Sequence, residues 1–435
     1  MEVGILIPVI VVMLVLLFAG TPVPISMALA GTLGLGLLHG GSGLLVSVQT
    51  MFNGLNDFII LAVPMFILMG VILSKGKIGE RLYSVFDVFL RHIPGGVGVA
   101  TIITCMFLAA MVGTSVAVAA MVGSFALREM HRLGYPLHLS MGAVIAGGAL
   151  GMLIPPSLPM ILFGVITLES IGQLFMAGMF PGILAGVLFC AWMVFAFRRE
   201  EKGKVAPPAS KEEKLKALKE GYWGILIPVI IIVMLYTGIA TPTEIAAIGC
   251  ALSFIVAVFI YRTISLKELF PVIKEGLTAA VMVLFIIAGA LVLASFVTQA
   301  GVSQAVADLF VGGGIPLWGF LAITMLILLG MGCLMEGAGL MLLMLPILHP
   351  TIEAYGFSLL VYAVIMVINI ECAMLTPPVG LNLYAVDGIA KMQGLPSNMG
   401  IAVKGSLPFF FLYIVTMILV IVFPALVTWL PAHTM

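Results

Sequence analysis

Four short segments hold most of the oxygen ligands and loosened backbone with which this chain could do chemistry. Gly113-Thr114-Ser115 interrupts one apolar run, and Gly151-Met152-Leu153-Ile154-Pro155-Pro156-Ser157 interrupts the next. In the second half Gly332 to Gly339 and Ala373-Met374-Leu375-Thr376-Pro377-Pro378-Val379-Gly380 do the same. Proline lacks a backbone donor and clashes with the preceding turn, so each proline pair should unwind a helix. Glycine allows a ligand or a second backbone to come close. In hydrocarbon, freed carbonyls are tolerated only against buried protein, a water-filled cavity or a bound ion. Carbonyls plus a hydroxyl suit a hard monovalent cation. One candidate site therefore joins the tip Gly113, Thr114 and Ser115 to the break at Gly151 to Ser157. Its counterpart joins Gly332 to Gly339 with Ala373 to Gly380. For Ser115 and Thr376 the ion or substrate reading outweighs packing; for Ala146-Gly147-Gly148-Ala149 close helix packing is expected.

Carboxylates inside apolar segments are few: Glu336 in the second tip, Glu371 before the second break and Asp387 after it. Such a group at bilayer depth is costly and marks function by default. Glu336 either holds substrate, a cation or a proton, or bonds within its own hairpin as a neutral acid; both readings stand. Glu371 and Asp387 have weaker claims. Asn369 and Asn382 flank the second break as uncharged hydrogen-bonding groups, either in the site or as structural bridges. No Lys or Arg falls in the apolar core. An anionic substrate would have to meet half-helix N-termini, hydroxyls, amides or co-bound cations. There is no P-loop, Gly-rich dinucleotide pattern or paired His or Cys set. ATP-driven transport by this chain alone is not expected, and neither is an organic cofactor. An intramembrane enzyme would need a nucleophile–base pair or metal ligands that the chain lacks, so no enzyme is expected.

The elements that carry these segments are helices in a membrane. Of 435 residues 62% are hydrophobic and 9% charged, with mean hydropathy +1.27. A soluble domain carries roughly 25% charged residues. Spanning-length apolar stretches recur from end to end. Zero net charge argues against nucleic acid as a partner. Cys105, Cys190, Cys250, Cys333 and Cys372 lie isolated in apolar runs and read as inert core thiols. The first twenty residues lack a basic n-region, so no cleaved signal peptide is expected.

The chain reads as a duplication. Thr21-Pro22 returns as Thr241-Pro242, Gly54-Leu55 as Gly276-Leu277, the proline pairs recur 222 positions apart, and Phe180-Pro181 returns as Leu407-Pro408. Interrupted apolar segments at matching places in two halves point to a secondary transporter. All 19 Lys and Arg fall in five stretches: Lys75 to Arg91, Arg128 to Arg132, Arg198 to Lys219, Arg262 to Lys274 and Lys391 to Lys404. The positive-inside rule places these in the cytoplasm, and both termini outside. Segments 4–20, 22–40, 58–74, 139–168 and 175–197 cross, while 94–127 is a re-entrant hairpin entering from the cytoplasm. The scheme repeats upside down, with a second hairpin near 316–348 entering from outside and a broken helix near 357–390. Ten crossings and two hairpins result. The fold class is all-α, polytopic, with inverted repeats at 1–197 and 222–435 and a solvated linker at 198–221. Ile78, Leu82, Val85, Phe86, Phe89 and Leu90 recur at helical spacing, predicting an amphipathic helix over 77–91 that lies at the cytoplasmic interface and supports the hairpin after it.

At these motifs the chain resembles the large membrane subunit of tripartite ATP-independent periplasmic (TRAP) transporters. The carrying segments are Gly20 to Pro24, Asn56 to Phe66, Gly113 to Ala117, Gly134-Tyr135, Gly151 to Ser157 and Leu375 to Tyr384, and the likeness covers essentially the whole chain. The resemblance implies an elevator-type, sodium-coupled importer of organic acids in the cytoplasmic (inner) membrane of bacteria or archaea. It also implies a small four-helix membrane subunit and a periplasmic substrate-binding protein as partners. Carried over by position, one sodium site would involve Ser115, Gly151, Ile154 and Ser157, and the other Gly332, Ala373, Thr376 and Val379. Gly113, Thr114, Glu336, Asn369 and Asn382 would face substrate. The tip reads Gly-Thr-Ser where many members have a Ser-Gly-Ser-like tip, and position 336 is Glu where Asp is common. The stretch Asn369 to Tyr384 is similar to members associated with C4-dicarboxylates. A binding-protein-independent divalent-anion/sodium symporter is the alternative.

Overall fold

The computed structural model describes residues 3–200, 205–333 and 335–434. Hydrocarbon offers the backbone no partner, so the backbone bonds to itself as helices. The first half comprises α1 (Val3–Phe18), α2 (Val23–His39), α3 (Ser42–Leu55), α4 (Ala62–Lys75), α5 (Ile78–Leu90), α6 (Gly96–Val112), α7 (Ser115–Arg132), α8 (Leu137–Ala149), α9 (Leu158–Thr167) and α10 (Ile171–Glu200). The second comprises α11 (Lys211–Tyr236), α12 (Pro242–Ile255), α13 (Leu266–Gln299), α14 (Val302–Ala307), α15 (Leu317–Gly332), α16 (Gly337–Ala354), α17 (Leu359–Met374), α18 (Leu381–Met392), α19 (Met399–Val422) and α20 (Ala425–Thr434). No strand occurs among the described residues. Among the described residues seven helices are long and apolar enough to cross a bilayer; α1, α2, α6, α8, α9, α14, α15 and α17 are shorter apolar pieces.

The duplication shows in the helix bounds. Helix α16 starts and ends 222 positions after α7, and α17 starts 222 positions after α8. At that offset the 34-residue α13 answers to α3 and α4 together. The first half is interrupted at Asn56-Asp57, where the Asp57 carboxylate accepts from Ile59 N (2.9 Å) and starts a new turn. The sequence reading treated 40–57 as a bare junction. Instead α3 buries Gly43 and Ser47 and exposes Leu44, Leu45, Val48 and Phe52, the pattern of a helix lying along an interface.

Much of the 198–221 linker is helical, although its described residues are mostly exposed. Helix α10 runs to Glu200, and α11 begins at Lys211 behind a capping box of Ser210 and Glu213. The Lys/Glu run is a strong helix former once capped. Its continuation packs: a Cβ on Gly221 would meet Val85 Cγ2 at 2.4 Å. Of the assigned linker, 201–204 lie outside the described residues and 205–210 are non-helical.

Contacts sort the connections to two ends. Lys75 pairs with Glu275 (3.0 Å) and Arg91 with Glu213 (2.9 Å), while Arg81 stacks on Tyr261 at 4.0 Å. Gln393, in the last basic stretch, donates to the carbonyls of Gly123 and Ser124 midway along α7. All five basic stretches thus meet at one end. At the far end of α13, about 50 Å away by helix rise, His39 bonds Gln299 (2.7 Å). There too Tyr355 Oη donates to Ile315 O (2.6 Å) across the base of the second hairpin. The two hairpins therefore enter from opposite ends. A cysteine at Asp308 should react with an impermeant reagent only from the periplasm, and one at Ser210 only after permeabilisation. Cytoplasmic labelling at 308 would overturn the orientation.

Helix α5 carries out its expected role. Tyr83 and Phe86 meet Phe125 and Phe107 of the hairpin limbs, with ring centroids 5.2 and 5.1 Å apart. Its Asp87 carboxyl is pushed up to about 6 by burial and then by the Glu129 carboxylate; Arg91 and Arg132 pull it back only in part. A carboxyl raised in the folded state favours folding at low pH and loses that contribution as pH rises through about 4 to 6. Asp87→Asn should therefore raise the melting temperature at pH 7.5, with the gain vanishing near pH 4. An unchanged melting temperature at pH 7.5 would show the carboxylate already satisfied.

Candidate functional site

The first tip and the first break form one buried unit. Gly113 ends α6 with φ 70°, a left-handed conformation that suits glycine, and its carbonyl accepts from Leu158 N, the first residue of α9 (3.2 Å). A Cβ at Gly151 would stand 2.9 Å from Thr114 O. Ser157 Oγ donates to Met152 O across the break. Leu153 to Ser157 are buried throughout. Ser115, Gly151, Ile154 and Ser157 therefore lie on one tip-and-break unit. The Ala146 to Ala149 run packs as expected: a Cβ on Gly147 would meet Cys105 Sγ at 2.8 Å, and one on Gly148 would meet Ala119 Cβ at 2.5 Å.

The second unit is built alike and is more open. A Cβ on Gly332 would meet Ala373 Cβ at 2.6 Å, so this tip also rests on its break. Thr376 Oγ1 donates to Cys372 O (2.6 Å), and Ser406 Oγ donates to Leu375 O (3.2 Å). Pro377 and Pro378 are exposed and Val379 is half-buried. Glu336 caps α16, its Oε2 accepting from Ala338 N (3.1 Å) and Gly339 N (3.3 Å). It bonds within its own hairpin as an acceptor through Oε2, which a carboxylate and the carbonyl oxygen of a neutral acid can both do. Helices α7, α9 and α18 start with no side-chain cap at Thr114, Ser157 or Gly380. In α9 the Leu158 N–H is already bonded to Gly113 O and Pro159 has none, so the ends left open to an anion are those of α7 and α18.

A cavity of about 780 Å³ lies between the two tips, α2 and the long helix α13; Thr114, Glu336 and Tyr384 are its polar lining, and Pro24, Met282 and Met335 belong to its apolar wall. Among the described residues no Lys, Arg or His lines it. A second cavity of about 420 Å³ shares Thr114 and Val283 with it and continues to Ser74, Ser124 and Glu275. Those residues adjoin Lys75, at the basic end, so the two spaces together point from the tips toward the cytoplasm.

Three sequence assignments move. Asn369 is buried and donates to Met325 O of α15 (3.0 Å), so it bridges helices and does not face the cavity. Asn382 is buried too and donates to Ser115 Oγ (2.6 Å). Asp387 is satisfied locally by Lys391 Nζ (2.6 Å) and by Ser397 Oγ. The residue that sequence undervalued is Glu371, fully buried, whose Oε2 accepts from Ser115 Oγ (3.2 Å). Contacts across 256 and 267 positions leave no local signal; the one clue was a lone acid in an apolar run.

Residues 10–426 match the family described as tripartite ATP-independent periplasmic transporter, DctM component. The C4-dicarboxylate TRAP transporter large permease protein DctM of Pseudomonas aeruginosa is 34% identical, with 93% of each chain covered. The sialic acid TRAP transporter large permease protein SiaM of Vibrio cholerae is 31% identical over 96% of each chain. An isethionate TRAP permease of Oleidesulfovibrio alaskensis, named DctMQ, is 32% identical; 87% of this chain covers 59% of that longer protein. In fold, the chain is similar to the YdaH transporter of Alcanivorax borkumensis, with TM-score 0.64, 14% identity and coverage of 89% and 90%.

Proposed function

Because the chain belongs to the DctM-component family of TRAP transporters, and so is a multi-pass large permease subunit of the inner membrane rather than an enzyme, we propose that it imports a small organic acid by sodium-coupled elevator transport. The observation that carries this reading is the pair of tip-and-break units flanking one cavity that contains no cationic side chain. An anion there needs positive charge from elsewhere. The uncapped N-termini of α7 and α18 and two co-bound sodium ions would supply it. Ser115, Gly151, Ile154 and Ser157 would hold one ion, and Gly332, Ala373, Thr376 and Val379 the other, through loosened carbonyls and hydroxyls. No organic cofactor enters this scheme. Gly113, Thr114 and Glu336 are placed at or beside the cavity and would face the substrate.

Two hairpins and two broken helices make a body whose tips abut α2 and α13 across the cavity. Sliding that body along these helices would carry cargo past a fixed frame. The relatives named for C4-dicarboxylate, sialic acid and isethionate all handle anions, which agrees with this cargo class. The small membrane subunit and the periplasmic binding protein are the partners this mechanism requires.

Uptake into proteoliposomes containing both membrane subunits, with the binding protein added outside, should need an inward sodium gradient and no ATP. Ser115→Ala and Thr376→Ala should each raise the half-saturating sodium concentration severalfold. Equal uptake with potassium in place of sodium would defeat the coupling. Uptake without the binding protein would favour the divalent-anion symporter reading.

A further inference from the structure

Among the described residues Glu371 has no positive partner. Its side chain is fully buried in α17, Oε2 accepts only from Ser115 Oγ, and Oε1 has no hydrogen-bond partner. Asn382, also fully buried, donates Nδ2 to Ser115 Oγ and leaves its Oδ1 without a partner. Ser115 sits at the start of α7 in the first tip, whereas Glu371 and Asn382 flank the second break. Thus one hydroxyl, one carboxylate and one amide converge from both halves, with two acceptor oxygens unused. A buried carboxylate left unpaired costs several kcal/mol or more. An unsatisfied buried amide oxygen adds to this. The Ile145 carbonyl stands 3.5 Å from Asn382 Nδ2 and is a further oxygen at the edge of the cluster.

We propose that Glu371, Asn382 and Ser115 form a third cation site, for a monovalent ion, lying between the two tip-and-break units. Its ligands would be the Glu371 carboxylate, Ser115 Oγ and Asn382 Oδ1, which a half-turn of the amide brings to the side now occupied by Nδ2. All are oxygens, as a hard cation requires. Unlike the carbonyl-built sites, this one carries a formal negative charge, so ion and site together are neutral and can cross the bilayer without a net buried charge. Because Ser115 is shared with the first sodium site, occupancy of the two sites is coupled through one hydroxyl, and the second half is informed of the state of the first. The inference rests on the sodium-coupled reading above.

The rival is a permanently neutral acid, and Gln copies a neutral acid in shape and hydrogen bonding. Glu371→Gln and Asn382→Leu should therefore be compared with wild type in the assembled two-subunit complex. The readouts are the sodium concentration for half-maximal uptake, the number of ²²Na⁺ ions carried per substrate, and the sodium-induced rise in melting temperature. The expected result is at least a tenfold rise in half-saturating sodium for Glu371→Gln, with one fewer sodium ion per substrate. If that variant assembles without transporting, a diminished sodium-induced melting shift supports the site and an undiminished one removes it. If it does not assemble, Asn382→Leu decides on the same readouts. Wild-type sodium dependence in Glu371→Gln would overturn the third site and leave the coupling intact. A wild-type protein indifferent to sodium would overturn the coupling itself.

Discussion

Gly151→Ala should abolish uptake while the complex still assembles. An added Cβ would stand 2.9 Å from Thr114 O, 3.2 Å from Thr114 C and 3.3 Å from Ser115 Cα. All three are backbone atoms, so no side chain can swing aside. The tip must lift off the break, and that lift moves Ser115 away from Gly151, Ile154 and Ser157 together. Interiors pack at close to crystal density and respond to one methyl group. A displacement near 1 Å at a positioning contact can cost a hundredfold in rate. Uptake should fall by at least that factor, and the sodium-induced rise in melting temperature should shrink with it. Gly330→Ala is the control, since a Cβ there meets nothing within 4 Å. If Gly151→Ala transports within a few-fold of Gly330→Ala, the first tip and break do not act as a unit.

The tip-and-break units were legible in sequence because their signals are local. Proline pairs, glycines and a hydroxyl announce a broken helix wherever they fall in an apolar run. Charge grouped the connections that the structure brings together, for the same reason: a basic stretch such as Lys75 to Arg91 needs no knowledge of its neighbours. Surface helices were harder. In α3, Gly43 and Ser47 form the buried side while Leu44, Leu45 and Phe52 face outward, which inverts the pattern that marks a helix in a water-soluble protein. In the linker, the lysines and glutamates that read as solvated are mostly exposed and also form a capped helix, whose continuation at Gly221 packs on α5. Glu371 could not be valued at all without its partners, which lie in α7 and α18. Asn369 and Asn382 have the same composition and near-symmetric positions around the break, yet one ties α17 to α15 while the other reaches the opposite half.

Glu336→Gln should reduce uptake at least tenfold with little change in melting temperature, and the size of that loss identifies the role. As a cap, Glu336 gives two backbone N–H groups of α16 an acceptor. A cap contributes about 1 kcal/mol, and the Gln carbonyl oxygen can still accept. Losing part of that contribution cannot produce a tenfold fall in transport, which corresponds to about 1.4 kcal/mol in the barrier. The rest must come from the charge. Among the described residues Glu336 is the one carboxyl group on the wall of the main cavity, and by filling the N-terminus of α16 it reserves the uncapped ends of α7 and α18 for the substrate. A carboxylate so placed repels the anionic cargo unless a cation lies between them, so it ties substrate entry to sodium occupancy. Glu336→Asp keeps the charge and shortens the reach, and should retain a measurable part of the uptake. Glu336→Ala loses both cap and charge, and should add a fall in melting temperature to the loss of transport. Wild-type uptake in Glu336→Gln would reduce the residue to its cap, and the cavity would then bind its anion with no carboxylate of its own.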